Sequence, residues 1–145
     1  MTRIFSLALA LGVLAAAAAC GGSDSTTPVT ATTPALLPTD SFSGTVQPGV
    51  NNIDSHTFTV SQLGTISVTL LTAGPPATIQ MGLGIGTPGA NNSCSLISTG
   101  STIASAGTTA QISLTNVPAG TYCVGVVDIG NASSPISYTL TVSHT

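Results

Sequence analysis

From Asp40 onward, apolar residues recur at every second position, in short runs separated by Gly, Pro and Asn. A period of two is the period of a β-strand with one buried and one wet face, and a helix cannot satisfy it. In the run 55–60, His56, Phe58 and Val60 fall on one side and Thr57 and Thr59 on the other. In 65–71, Ile66, Val68 and Leu70 oppose Thr65, Ser67 and Thr69. In 79–85, Ile79, Met81, Leu83 and Ile85 alternate with Gln80, Gly82 and Gly84. In 136–142, Tyr138, Leu140 and Val142 alternate with Ser137, Thr139 and Thr141. Adding 42–46, 94–97, 110–114 and 121–128 gives about eight short strands. Gln47-Pro48-Gly49, Gly74-Pro75-Pro76, 87–92, Pro118-Ala119-Gly120 and Ile129-Gly130-Asn131 read as the turns between them. Close-spaced antiparallel strands with one apolar face each predict an all-β domain, a single jelly-roll-like β-sandwich over 40–145.

The first 39 residues are of a different kind. Arg3 precedes an apolar run from Ile4 to Leu14, and Ala15 to Ala19 lead to Cys20. This has the basic start, apolar centre and small-residue cleavage site of a secretory signal over 1–19. The run is short of the ~20 apolar residues that a membrane-spanning helix needs. Ala17-Ala18-Ala19-Cys20 resembles the lipobox of bacterial lipoproteins. That resemblance implies cleavage before Cys20, a diacylglycerol on its sulfur and a further acyl chain on its amine. Each buried methylene contributes roughly 0.8 kcal/mol, so two or three chains anchor stably. Gly21 after the cysteine resembles the pattern of lipoproteins sent on to the outer membrane. The same alanines also satisfy the A-x-A rule of ordinary signal cleavage, which would leave Cys20 a free thiol. Residues 20–39, with Pro28, Pro34, Pro38 and many Thr, predict a disordered, solvated linker below the domain.

Charge narrows the functions. After residue 19 there is no Lys and no Arg, and the acidic side chains are Asp24, Asp40, Asp54 and Asp128. Nucleic-acid binding, which needs several basic side chains on phosphates, is excluded, and so is a polybasic membrane patch. Stability must come from burial, backbone hydrogen bonds and covalent links. If Cys20 carries lipid, Cys94 and Cys123 remain as a pair in an oxidising compartment. A bond closing a loop of about 30 residues contributes roughly 3–4 kcal/mol. The alternatives are two buried free thiols, or a zinc site for which His56 and His144 lack ligand spacing.

Residues 42–142 resemble the bacterial pre-peptidase C-terminal domain family. The resemblance rests on Gly49 to Val60, with Asp54 ahead of an alternating strand, and on Leu63-Gly64-Thr65-Ile66-Ser67-Val68. It rests further on Val117-Pro118-Ala119-Gly120-Thr121-Tyr122, where a Pro-x-Gly turn feeds a core strand, and on Tyr138-Thr139-Leu140-Thr141-Val142. It implies a jelly-roll-like sandwich. Family members often carry Trp or Tyr near Ser55 and His56, which this chain does not, and no protease domain accompanies it here.

The reactive residue types assemble poorly. Asp54, Ser55 and His56 contain the three types of a hydrolase triad, but neighbours in a strand point to opposite faces, and no Gly-x-Ser-x-Gly elbow exists. No catalytic residue is therefore assigned. Asp54, His56 and Asp128 are weak candidates for a metal site, since calcium alone would want about 6–8 oxygens. Otherwise His56 reads as an aromatic core or rim residue, Asp54 as the cap of the preceding turn, and Asp128 as acceptor for the turn at 128–131. The bare face of Gly82, Gly84 and Gly86 suits close packing or strand bending, or a glycan lying against backbone. Tyr122 and Tyr138 read as core, and the sequons at Asn91 and Asn131 as accidental matches. No cofactor is implied. The expectation is a non-catalytic, lipid-anchored envelope protein whose sandwich binds a protein or surface-polymer partner. A carbohydrate-binding module is the alternative, and a small secreted hydrolase a third.

Overall fold

The computed structural model describes residues 36–50 and 52–145. The expected signal segment, Cys20, the linker through residue 35, and Asn51 lie outside the described residues. Eight strands follow one another: β1 (Thr39–Val46), β2 (Ile53–Val60), β3 (Gly64–Gly74), β4 (Gln80–Pro88), β5 (Cys94–Ser105), β6 (Ile112–Val117), β7 (Gly120–Asp128) and β8 (Ile136–His144). A 3-10 turn at Ala90–Asn92 is the only helical element among the described residues. The strands form two four-stranded antiparallel sheets, ordered β1-β8-β3-β6 and β2-β7-β4-β5. Two such sheets, each interleaving early and late strands, make an eight-stranded jelly roll, as the alternation predicts.

The alternation settles which side chains meet between the sheets. Ile66, Val68 and Leu70 of β3, Met81, Leu83 and Ile85 of β4, and Tyr138, Leu140 and Val142 of β8 are all buried. Their intervening Thr and Ser face outward, apart from the glycines of β4. Each large apolar side chain taken out of water stabilises by roughly 1.5–3 kcal/mol, and the sum offsets the chain's conformational entropy.

Several strands run past their expected ends: β1 starts at Thr39, β3 reaches Gly74, and β4 reaches Pro88 inside the expected 87–92 turn. β5 continues past residue 97 to Ser105. Its Ser98-Thr99-Gly100-Ser101 stretch shows no alternation because β5 is an edge strand and is wet for most of its length. The pairing with β4 jumps from Gly86↔Leu96 to Gly84↔Ser101, so four residues bulge opposite Ile85. β6 begins later than expected, at Ile112, and ends at Val117.

The glycine ladder of β4 is covered, which overturns its reading as a bare groove for a glycan. Gly82, Gly84 and Gly86 are buried. Val127 and Ile129 lie over Gly82, and Leu96 lies over Gly84. A Cβ on Gly86 would overlap the Ser95 carbonyl, so the first residues of β5 pass across the outer face of β4. That crossing lets Cys94 reach Cys123 on β7 although β4 lies between their strands; the two are disulfide-bonded with Cα atoms 5.8 Å apart. The preceding turn continues over the same face, where the Ser55 hydroxyl of β2 donates to the Asn92 carbonyl.

Candidate functional site

β1 and β2 are edge strands of different sheets, and a turn through Pro48, Gly49 and Asn52 joins them. Gly49 takes φ 126°, a conformation that L side chains rarely adopt, and its carbonyl accepts the Asn52 N–H at 2.9 Å. The Asn52 side chain donates to the Pro48 carbonyl at 2.8 Å. The outer support of the turn comes from Asp128, at the end of β7. Its Oδ2 accepts the Gly49 N–H at 2.7 Å, and its Oδ1 accepts Gly130, Asn131 and Ala132 N–H groups at 3.0–3.1 Å. One buried carboxylate therefore closes two turns. These bonds, that from Gly49 foremost, hold Asp128 below its usual pKa of 3.8 against the opposing effect of burial.

The turn borders an open cleft of about 320 Å³, lined by Thr45, Val46, Gln47, Asn52, Ile53 and Asp54. Asp54 stands half-buried in it. Its Oδ2 accepts the Tyr138 hydroxyl at 3.0 Å, and His56 Nε2 lies 2.9 Å from the same phenolic oxygen. The one phenolic proton goes to Asp54, so His56 donates from Nε2–H. Burial first, then the bond to Asp54 and its charge, push the Tyr138 phenol far above its usual pKa of 10.0. The His56 ring stacks on Phe42, with centroids 4.8 Å apart and planes 10° from parallel. Gly44 makes the cluster possible: a Cβ there would overlap Asp54 Oδ2 and crowd the Tyr138 hydroxyl. Tyr138→Phe keeps the ring's packing and removes the shared hydroxyl. The expected loss is about 1–3 kcal/mol of stability in denaturant unfolding, because Asp54 and His56 both lose a partner.

The structure brings Asp54 and His56 together on Tyr138 and does not bring Asp128 to them. Among the described residues no three His, Cys, Asp or Glu side chains form a metal-holding group. The expectation that Asp54 caps its preceding turn is overturned, since Asp128 does so from the neighbouring strand while Asp54 faces Tyr138. Asp128 accepts from its own turn as expected. Ser55 points to the other sheet face, away from His56, so 54–56 assemble no nucleophile with its base. His144 is held through Nε2 by Asp40 at 3.1 Å and packs on Phe58 at a centroid distance of 5.5 Å. Tyr138 is core, as expected, while Tyr122 is only half-buried and donates to the Pro118 carbonyl. The Tyr138 bridge and the place of Gly44 escaped sequence reasoning. The available signals were Asp54 in register with His56, and Gly44 as a gap in the apolar side of β1.

No protein-family model matches the chain, and no curated protein sequence matches it. Among solved structures, the chain is similar to PliG from Aeromonas hydrophila, a periplasmic inhibitor of g-type lysozyme. The two share 12% identity with a TM-score of 0.40, over 74% of this chain and 86% of that one.

Proposed function

We propose that this chain is a non-catalytic, lipid-anchored protein of the bacterial cell envelope. Its jelly roll presents a binding surface to a protein or surface-polymer partner, and its domain is a relative of the pre-peptidase C-terminal family. One observation carries the non-catalytic reading: the groups capable of chemistry are bonded into the fold. Asp128 holds two turns, His56 and Asp54 share Tyr138, His144 holds Asp40, and Ser55 holds the 3-10 turn. A nucleophile needs its base within hydrogen-bond reach, and Ser55, on the opposite strand face from Asp54 and His56, has neither of them there. The jelly-roll strand order is the architecture that the family resemblance implies. The anchor reading rests on the signal-like run and Ala17-Ala18-Ala19-Cys20.

Two measurements test the proposal. Cys20→Ser moves the protein from the detergent phase to the aqueous phase in Triton X-114 partition; equal partition of both forms refutes the anchor. A photo-reactive residue on the domain surface, in cells of the native host, yields a discrete cross-linked species. Its failure from every face of the domain refutes the interaction reading.

A further inference from the structure

The cleft between β1 and β2 holds a carboxylate, Asp54, that no Lys or Arg of the domain answers. Asp54 stands half-buried there, and the His56 ring beside it bonds Tyr138 and not the carboxylate. Residues 36–145 contain no Lys and no Arg. Tyr138 satisfies one acceptor position on Oδ2, and a carboxylate offers about four. Thr45, Gln47 and Asn52 line the same cleft, with one side-chain N–H of Asn52 already committed to Pro48. Each of these carries an oxygen able to accept. Ile53, 38% exposed, adds apolar surface to the lining.

We infer that this cleft receives a cationic side chain, arginine or lysine, from a protein partner, with Asp54 as its counter-charge. Charge complementarity selects the occupant. A guanidinium brings five donors and no acceptor, which fits a lining of carboxylate, amide and hydroxyl oxygens. A volume of about 320 Å³ admits such a side chain. An arginine seated in a pocket with apolar contacts around it is the common anatomy of an interface hot spot. The built position of Asp54 adds to the argument. Gly44 leaves the room for its carboxylate, and Tyr138, fixed by His56, holds one oxygen, so the charge waits in one place instead of sampling rotamers. A neutral sugar fits less well: it would leave the charge unmatched, and Phe42, the aromatic nearest this cluster, is turned to His56 and offers no stacking platform.

The inference rests on the interaction reading above but is tested without any partner. The probe is L-arginine amide, titrated into the isotope-labelled mature chain from residue 20 onward, in soluble Cys20→Ser form. Saturable amide shifts are expected at Thr45, Gln47, Asn52 and Asp54, with half-saturation in the millimolar range. Half-saturation should rise at least about threefold when salt goes from about 50 mM to about 500 mM. Gln47→Lys alters an exposed rim residue and sets an ammonium of the chain's own beside Asp54; it should weaken the response at least about tenfold. Gln47→Glu should strengthen it about threefold. Asp54→Asn should abolish the response, and the Gln47 variants decide the matter if Asp54→Asn unfolds. Shifts absent or spread evenly over the surface, or a Gln47→Lys chain that responds as before, overturn the inference. So does methyl glucoside producing the same shifts as the cation. Cross-linking from other faces together with a silent cleft would sink this socket and leave the interaction reading standing; the reverse outcome would do the opposite.

Discussion

Replacing both cysteines, Cys94→Ala with Cys123→Ala, lowers the melting temperature by roughly 15 °C. The loop they close spans 29 residues, and its closure is worth about 3–4 kcal/mol in the chain-entropy account. For a domain of this length each kilocalorie moves Tm by about 4–8 °C. The position of the bond makes the loss local as well as global. β5 has a ladder partner on one side only, and its first residues, while paired with β4, also pass over its outer face. Without the link to β7, residues 89–96 are held to the rest of the domain by the pairings of Gly86, Thr87 and Pro88 with Leu96, Ser95 and Cys94, the packing of Leu96 over Gly84, and the bond from Ser55 to Asn92. Amide exchange in 93–96 should therefore accelerate well before exchange in β3 or β8 does. Dithiothreitol acting on the native protein should reproduce both effects. A Tm within about 2 °C of the parent after complete reduction would show that the bond is structurally idle.

How far the chain announces this architecture depends on which residues are asked. In β3, β4 and β8 the side chains are large and apolar on one side and mostly Ser, Thr or Gly on the other, so the buried face follows from periodicity, up to the irregularity at Leu71. β5 hides because its inward positions carry small or polar residues, Gly100, Thr102 and Ala104, that show no apolar period, and its bulge between Leu96 and Ser101 reads as a loop. The site is harder still. Tyr138 lies 84 residues from Asp54, and each is unremarkable in its own strand. The pairing exists because β1 and β8 are neighbours in one sheet and β2 borders the other, a relation of topology that local pattern does not encode. The role of Asp128 was half legible. An Asp ahead of Gly130-Asn131 points to its own turn, whereas its bond to Gly49 crosses 79 residues. The glycine ladder shows the converse case: bare positions in sequence become covered positions in the fold, because a side chain missing from one strand is space for another.

Asp128→Ala should be the most damaging single change at the candidate site, with a fall in Tm of roughly 10 °C or more. The side chain is almost wholly buried, and its removal strands four backbone N–H groups in two turns with no acceptor. Asp128→Asn should fall between, since one carbonyl oxygen can serve either the Gly49 turn or the 130–132 turn but not both, and the amide's NH₂ opposes the other donors. The loss carries a pH signature whose sign is fixed. A carboxylate held below its usual pKa of 3.8 contributes stability that is complete above about pH 4 and disappears as pH falls through the lowered folded-state value. The Tm gap between the parent and Asp128→Ala should therefore be constant from about pH 7 to about pH 5 and narrow toward about pH 2. Because Gly49 belongs to the turn that carries Gln47 and Asn52, the variant should also lose part of its response to L-arginine amide below the unfolding temperature, although Asp54 is untouched. A folded Asp128→Ala protein with an undiminished Tm gap at about pH 2 would show that this carboxylate is not what joins the two turns.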